Sequence, residues 1–320
     1  MTKKGVADLL DVKTAANLAL LVVAFLILAL LPQITTGYAL TLLTDILKFV
    51  ILTVAWMIFS GPTGYMSLAT AAFYGLGFYA AAVLSGHFPF PVVVMMAGAF
   101  SFVVALAVGA MTLKLRGVYF AIFTFALVEL IQSVILEVER VVTHTRGRFV
   151  VTQGTVMVYY AIFIVVVLTM IAAIVIRRSR YGLALQSIGE YEEAAAHSGI
   201  NVTRTKVITF ALTAVFMGAA GAIIATSRTY VDPGIAFDLN NSFLPVLMAM
   251  FGGMGTLIGP VVGAAVFTYL GEFLLTRFPD LYQIIFGAVL VLAILFLPNG
   301  IVGLIQQYWR KISGGPRAPS

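Results

Sequence analysis

The chain is a succession of apolar runs separated by short polar joints. The runs lie at about 15–31, 40–59, 65–85, 91–113, 117–136, 156–176, 206–227, 242–254, 257–275 and 281–298. A helix needs about 20 apolar residues to cross the hydrocarbon core of a bilayer, and most of these runs supply them. The pair at 242–275 is the exception: its first member is short, and Gly252-Gly253-Met254-Gly255 marks the break. The count is therefore nine or ten spans. Charged residues make up only 10% of the 320, and hydrophobic ones 61%. A soluble domain carries about 25% charge, so a water-facing surface cannot be assembled from this composition. A soluble enzyme, a disordered chain and a nucleic-acid module are excluded on the same ground. The pI near 9.5 needs another explanation.

That explanation is membrane orientation, because the basic residues sit at span ends. Ten spans with the N-terminus inside place Lys3, Lys4, Lys13, Lys114, Arg116, Arg177, Arg178, Arg180, Arg204, Lys206, Arg310, Lys311 and Arg317 on the cytoplasmic side. Arg140, Arg146, Arg148, Arg228 and Arg277 fall outside, and Lys48 lies within a span. Nine spans would put the basic tail outside. The expected fold class is all-α: a polytopic integral membrane helix bundle of about ten transmembrane helices, N-in and C-in. It forms a single domain over 1–320, with a cytoplasmic loop at 177–205 and a cytoplasmic tail at 299–320. The first run follows basic residues but lacks a small-x-small cleavage site, and Pro32-Gln33 comes after it, so it reads as a retained anchor.

Two loops are long. The outer one, 137–155, has mixed charge; it is either a solvated connector or a partner contact. The inner one, 177–205, is more regular. Arg177, Arg178 and Arg180 meet the lipid headgroups at its start, and Gly182 offers a chain reversal. No proline interrupts Leu183 to Ser198, and alanine is frequent, which predicts a helix or a helix pair between spans six and seven. Gly199 is the expected C-terminal stop. Glu190, Glu192 and Glu193 are three of only 13 acidic residues, and Ala194, Ala195 and Ala196 follow them. Small residues admit another backbone, and flanking carboxylates pair with basic groups, so this helix is either a docking knob or an ordinary surface helix.

Glu193-Ala194-Ala195, three residues, and then Gly199 resembles the EAA-x3-G loop of ABC-importer permeases. The wider stretch 179–222 is similar to permeases of the branched-chain amino-acid importer family, LivM type. So are GPTGYMSLATAAFYGLGFYAAAVL, LRGVYFAIFTFALVEL, FGGMGTLIGPVVGAAV and the terminal LPNGIVGL. The resemblance implies a coupling helix at about 183–199, with Glu190, Glu192, Glu193, Ala194, Ala195 and Gly199 meeting an ATP-binding subunit. It implies two ATP-binding cassette subunits, a paralogous membrane permease in a heterodimer rather than a homodimer, and a periplasmic or lipid-anchored substrate-binding protein. It also implies a bacterial cytoplasmic (inner) membrane. The pattern departs from the family in two places. Gly64 to Phe73 carries Ala69-Thr70 where a Gly-[HQ] pair is common, and Thr143 to Arg148 replaces a T-G-G-x-[DN]-G stretch. Both departures leave the solute open.

No G-x-x-x-x-G-K-[ST] loop exists: none of the seven lysines follows a glycine. The chain is not itself a P-loop ATPase and is expected to hold no cofactor, with ATP bound by partner subunits. His87, His144 and His197 sit in different loops, and neither DDxxD nor HExxH occurs, so no metal or catalytic site is expected. Ionisable residues inside spans are costly and point to function by default. Lys48 either snorkels beside Asp45 or pairs with Glu129; Glu129 either lines a path or makes an inter-helix hydrogen bond; Glu272 is a third case. Glycine clusters permit helix breaks or tight packing. The expected path residues are Gly64, Ser67, Thr70, Phe73, Glu129, Gly252, Gly253 and Gly255. The functional expectation is the permease subunit of an ATP-driven importer for a small polar or amphipathic solute, first branched-chain or other apolar amino acids. The alternatives are urea and amides or aromatic carboxylates on the same machinery, or an ion-coupled transporter using Glu129.

Overall fold

A computed structural model describes residues 27–296, except Thr36 and Thr145, together with Gly300. Lys3, Lys4 and Lys13, most of the first expected span, and nearly all of the 299–320 tail with Arg310, Lys311 and Arg317 lie outside the described residues. So does most of the LPNGIVGL motif. Residues 27–34 are helical.

From Tyr38 onward the helices are α1 (Tyr38–Thr63), α2 (Thr70–Leu84), α3 (Phe90–Thr112), α4 (Val118–Val138), α5 (Thr155–Arg178), α6 (Arg180–Glu190), α7 (Glu192–His197), α8 (Val202–Ala225), α9 (Pro233–Ala236), α10 (Asn240–Gly252), α11 (Ile258–Arg277) and α12 (Tyr282–Phe296). A two-stranded antiparallel ribbon pairs β1 (Arg148–Phe149) with β2 (Tyr230–Val231). Among the described residues, seven helices are long and apolar enough to cross a membrane, counting α4 with its terminal π-turn and α9 with α10 as one each. The chain is thus an all-α polytopic membrane bundle.

α1 and α8 are the most enclosed of the seven, and α4 is the least. The centre is built where α8 packs on α2, α3 and α1. Close approach there depends on glycine: a Cβ on Gly77 would overlap the backbone of Gly218. An aromatic cluster of Phe59, Phe73, Phe120 and Phe210 fills the space between these helices, with ring centroids 5.2–6.2 Å apart for each neighbouring pair.

The run at 65–85 is not one continuous span. α1 ends in a left-handed turn at Gly64 (φ 70°), and α2 begins only at Thr70. The backbone between them is non-helical, so its polar groups need partners from elsewhere. Trp56 Nε1 donates to the Ser67 carbonyl at 2.7 Å, and the Leu68 N–H donates to Thr124 Oγ1 at 2.9 Å. Ser242 Oγ donates to the Leu68 carbonyl at 2.6 Å and accepts from the Ala71 N–H at 3.0 Å. Side chains from α1, α4 and α10 thus replace the hydrogen bonds a helix would make. α2 keeps 15 residues, about 22 Å at 1.5 Å per residue, less than the hydrocarbon thickness.

The joints sort into two ends. At one end Lys206 reaches the Leu113 carbonyl (3.1 Å), Arg177 reaches the Gly255 carbonyl (2.9 Å), and Gly189 lies on the Pro62 carbonyl. At the other, β1 pairs with β2, the Val151 N–H meets Ser85 Oγ (3.3 Å), and the Tyr38 hydroxyl donates to Glu272 (2.8 Å).

Candidate functional site

The helix pair α6–α7 lies across the first of these ends. Ser179 adopts an extended conformation (ψ 169°) that stops α5, and its Oγ then accepts the N–H groups of Tyr181 (3.2 Å) and Gly182 (3.4 Å) to start α6. The reversal expected at Gly182 therefore sits at Ser179. Gly182 is inside α6, where a Cβ would collide with the Ile176 carbonyl. Gly189 does the same job further along the helix, letting α6 rest on the end of α1 at Pro62. Extended Tyr191 (φ −156°) separates α6 from α7. α7 closes with a Schellman arrangement, in which Ile200 N–H donates to Ala195 O (3.2 Å) and Gly199 N–H to Ala196 O (3.0 Å). Gly199 has φ 84°, which explains glycine at the expected stop.

The carboxylates of this pair divide by direction. Glu192 points into the bundle. Its Oε2 accepts from the Tyr65 hydroxyl at 2.6 Å, its Oε1 accepts from Lys206 Nζ at 3.0 Å, and Arg116 stands 3.7 Å away. Burial is the largest influence on this carboxyl and pushes its pKa up. The Tyr65 and Lys206 hydrogen bonds and the two cationic charges outweigh it, and the net shift is downward. Ala195, one turn later, is buried on the same face. Glu192 and Ala195, both expected at a partner contact, are therefore turned toward this chain's own interior. The outward surface is made by Glu193, whose side chain is 61% exposed and 3.5 Å from Arg116, with Ala194, Ala196 and His197 beside it. Glu190 is exposed on α6, at a cavity of about 460 Å³ that is also lined by Gly61, Pro62, Gly64, Arg177, Gly189 and Gly255.

The residues expected to line a path do not come together in one place. Ser67, Thr70 and Phe73 come together around a small internal cavity that also touches Trp56, Ser60, Phe210, Thr213 and Met217. Ser60 Oγ and Thr70 Oγ1 are buried there without a protein hydrogen-bond partner. Gly64 and Gly255 share the larger cavity beneath α6, while Gly252 serves helix packing, since a Cβ on it would meet the Gly259 carbonyl. Gly253 (φ 103°) makes the turn that ends α10. Glu129 belongs to neither cavity. It is exposed on α4, the least enclosed span, in line with Ala126 and Ser133. Lys48 pairs with Asp45 at 3.3 Å rather than with Glu129, and Glu272 accepts from Tyr38.

The loop at 137–155 is organised rather than loose. α4 runs into a π-turn (Glu139–Thr143), and buried Glu139 accepts from the Gly147 N–H (2.8 Å) and from Arg148 Nε (2.9 Å). Phe149 is left 79% exposed beside Tyr230. Among the described residues, no group of three or more His, Asp or Glu side chains is placed to hold a metal.

Sequence reasoning missed Tyr65 and the inward role of Lys206. In the sequence Lys206 reads as a basic flank, because a lysine at the start of an apolar run is indistinguishable from a topology signal. Its position 14 residues after Glu192, near the first turn of a span, is the only hint the sequence holds.

Residues 38–294 match the family of the branched-chain amino acid transport system permease component. Over 97% of its length the chain is 22% identical to the high-affinity branched-chain amino acid transport system permease protein LivM of Salmonella typhimurium, of which 81% is covered. It is 23% identical to LivM of Escherichia coli K12 over 93% of this chain and 78% of that protein. The LivH permease of E. coli K12 is 30% identical over 44% of this chain and 46% of its own length. No solved structure matches. The sequence, the membrane bundle and these similarities converge: the chain belongs to the branched-chain amino acid transport system permease family, as a non-catalytic, multi-pass inner-membrane component of an ABC-type importer.

Proposed function

We propose that this chain forms the translocation path for branched-chain or other apolar amino acids, and that α6–α7 is the knob through which ATP-binding subunits drive it. The observation that carries the reading is the outward face of α7. Glu193 and Ala194 are presented at an end rich in Lys and Arg, on a helix pair seated against α1 and joined to α8 by Lys206. ATP closes the partner subunits, they displace α7, and the spans switch from outward to inward access. LivM resembles nearly the whole chain, whereas the xylose permease XylH of Haemophilus influenzae resembles 42% of it, which favours amino acids over sugars. The ion-coupled alternative loses its basis once the chain is an ABC-importer component. Urea, amides and aromatic carboxylates remain alternative cargoes on the same machinery.

The sorting of the described joints into two ends, with Arg116, Arg177 and Lys206 at one of them, supports that end as the cytoplasmic one in a ten-span, N-in and C-in arrangement. A second membrane subunit is supported by α4: the stripe Ile122, Ala126, Glu129, Ser133 is exposed, and a carboxylate facing lipid costs at least about 2.5 kcal/mol. A paralogous permease or the wet path between two permeases would cover it. Exposed Phe149 and the β1–β2 ribbon suit contact with a substrate-binding protein at the opposite end. The test is co-purification in mild detergent, followed by uptake of labelled leucine by the reconstituted complex. An ATPase subunit that is retained by the native chain and lost in Glu193→Lys supports the reading. A stable particle without an ATPase would sink it.

A further inference from the structure

Lys206 is a buried ammonium on a membrane-spanning helix, and joining α7 to α8 does not by itself require a charge at this position. Its three N–H bonds find three acceptors: Glu192 Oε1 and the Tyr65 hydroxyl, each at 3.0 Å, and the Leu113 carbonyl at 3.1 Å. The Tyr65 hydroxyl accepts from Lys206 and donates to the other Glu192 oxygen at 2.6 Å. The result is a closed triangle whose corners stand on three separate elements: α7, α8, and the non-helical segment between α1 and α2. A buried ion pair of this kind is a poor device for stability, since well-packed apolar residues do as well or better. What it does supply is a fixed register between the pieces it joins.

The third corner leads inward. The Tyr65 ring stands edge-on to Phe120 with centroids 5.5 Å apart, and Phe120 continues through Phe210 to Phe73. Phe73 walls the hydroxyl-lined cavity together with Ser67 and Thr70. Close-packed aromatics do not deform smoothly; they change between discrete packings. We infer that Tyr65 and Lys206 are positioning residues that transmit displacement of α7 to the segment Gly64–Phe73, tying the nucleotide-driven stroke to the inner cavity. This rests on the reading of α6–α7 as the ATPase-contacting knob.

The test uses the complete importer in proteoliposomes, with three readouts: ATPase subunit retained, ATP hydrolysed, and leucine taken up per ATP. Tyr65→Phe keeps the ring and its packing and removes only the shared hydroxyl. The expected result is a complex that retains its ATPase and hydrolyses ATP, with uptake per ATP reduced by about fivefold or more. Glu192→Gln is expected to give a similar loss, and the double variant little more than either alone, because all three act through one triangle. Wild-type uptake per ATP in Tyr65→Phe overturns the inference. So does loss of the ATPase subunit from that variant, which would place Tyr65 in the docking scaffold instead. Absence of an ATPase from the wild-type complex is a different failure, that of the underlying reading. Should Tyr65→Phe not assemble for want of folding, Lys206→Gln is measured instead. Unchanged stoichiometry there counts equally against the link.

Discussion

Two adjacent carboxylates on α7 do opposite things, and one residue of offset decides which. Positions 192 and 195 fall on the face that meets the bundle, while 193 and 194 fall on the other. Enlarging Ala195 would therefore disturb this chain's own packing, and Ala194 is the better probe of a partner. We expect Ala194→Trp to lower ATPase retention while the detergent-solubilised chain unfolds at an unchanged temperature, and Ala195→Trp to lower the unfolding temperature itself. The Glu192 pKa is depressed in the fold, so its contribution to stability is present above the ordinary carboxylate range and lost as pH falls through the folded value. Glu192→Gln should accordingly destabilise at pH 7, by about 1–3 kcal/mol for a hydrogen-bonded charge near the surface. The gap between wild type and variant should close as the pH drops below the carboxylate range. A gap that stays constant with pH would show that the charge of Glu192 is not what holds α7.

At the scale of elements, the bundle depends on places where helices stop. The non-helical stretch before α2 is held by Trp56, Thr124 and Ser242, each giving or taking a hydrogen bond that a continuous helix would have made for itself. Trp56→Phe removes the donor to the Ser67 carbonyl and leaves a buried acceptor unpaired. About 1–3 kcal/mol of stability should go with it, measurable as a lowered unfolding midpoint. α6 depends on Gly189 at the Pro62 carbonyl. Gly189→Val should lift α6 from α1, raise protease cleavage within 179–199, and reduce ATPase retention; an unaltered cleavage pattern would show that α6 is held elsewhere.

For the whole molecule, the absence of cysteine turns orientation into a direct measurement. Phe149→Cys and Arg180→Cys stand at opposite ends of the bundle and are both solvent-accessible in position. In intact cells a membrane-impermeant thiol reagent should label Phe149→Cys only, and in inverted vesicles Arg180→Cys only. Labelling of both from one side would end the ten-span, N-in arrangement. Ala126→Cys on α4 should cross-link to a second membrane subunit, whereas Leu168→Cys on the exposed side of α5 should not.

Apolar length and sparse charge were sufficient to read the class of fold and nearly every helix, because a bilayer admits few ways to bury a backbone. The run of alanines without proline, ended by Gly199, was sufficient to expect a helix or a helix pair, since local propensity and capping act over a few residues, but not to place the division at Tyr191. The sequence could not say where the 65–85 run breaks. That break is stabilised by Trp56, Thr124 and Ser242, which are distant along the chain. Nor could it say which way Glu192 faces, or that Lys206 and Tyr65 meet it. A lysine and a tyrosine beside apolar runs have the same composition whether they touch headgroups or a buried carboxylate. Only the packing of α7, α8 and the break before α2 against one another brings the three groups within 3.0 Å and takes Lys206, with most of Glu192, out of water.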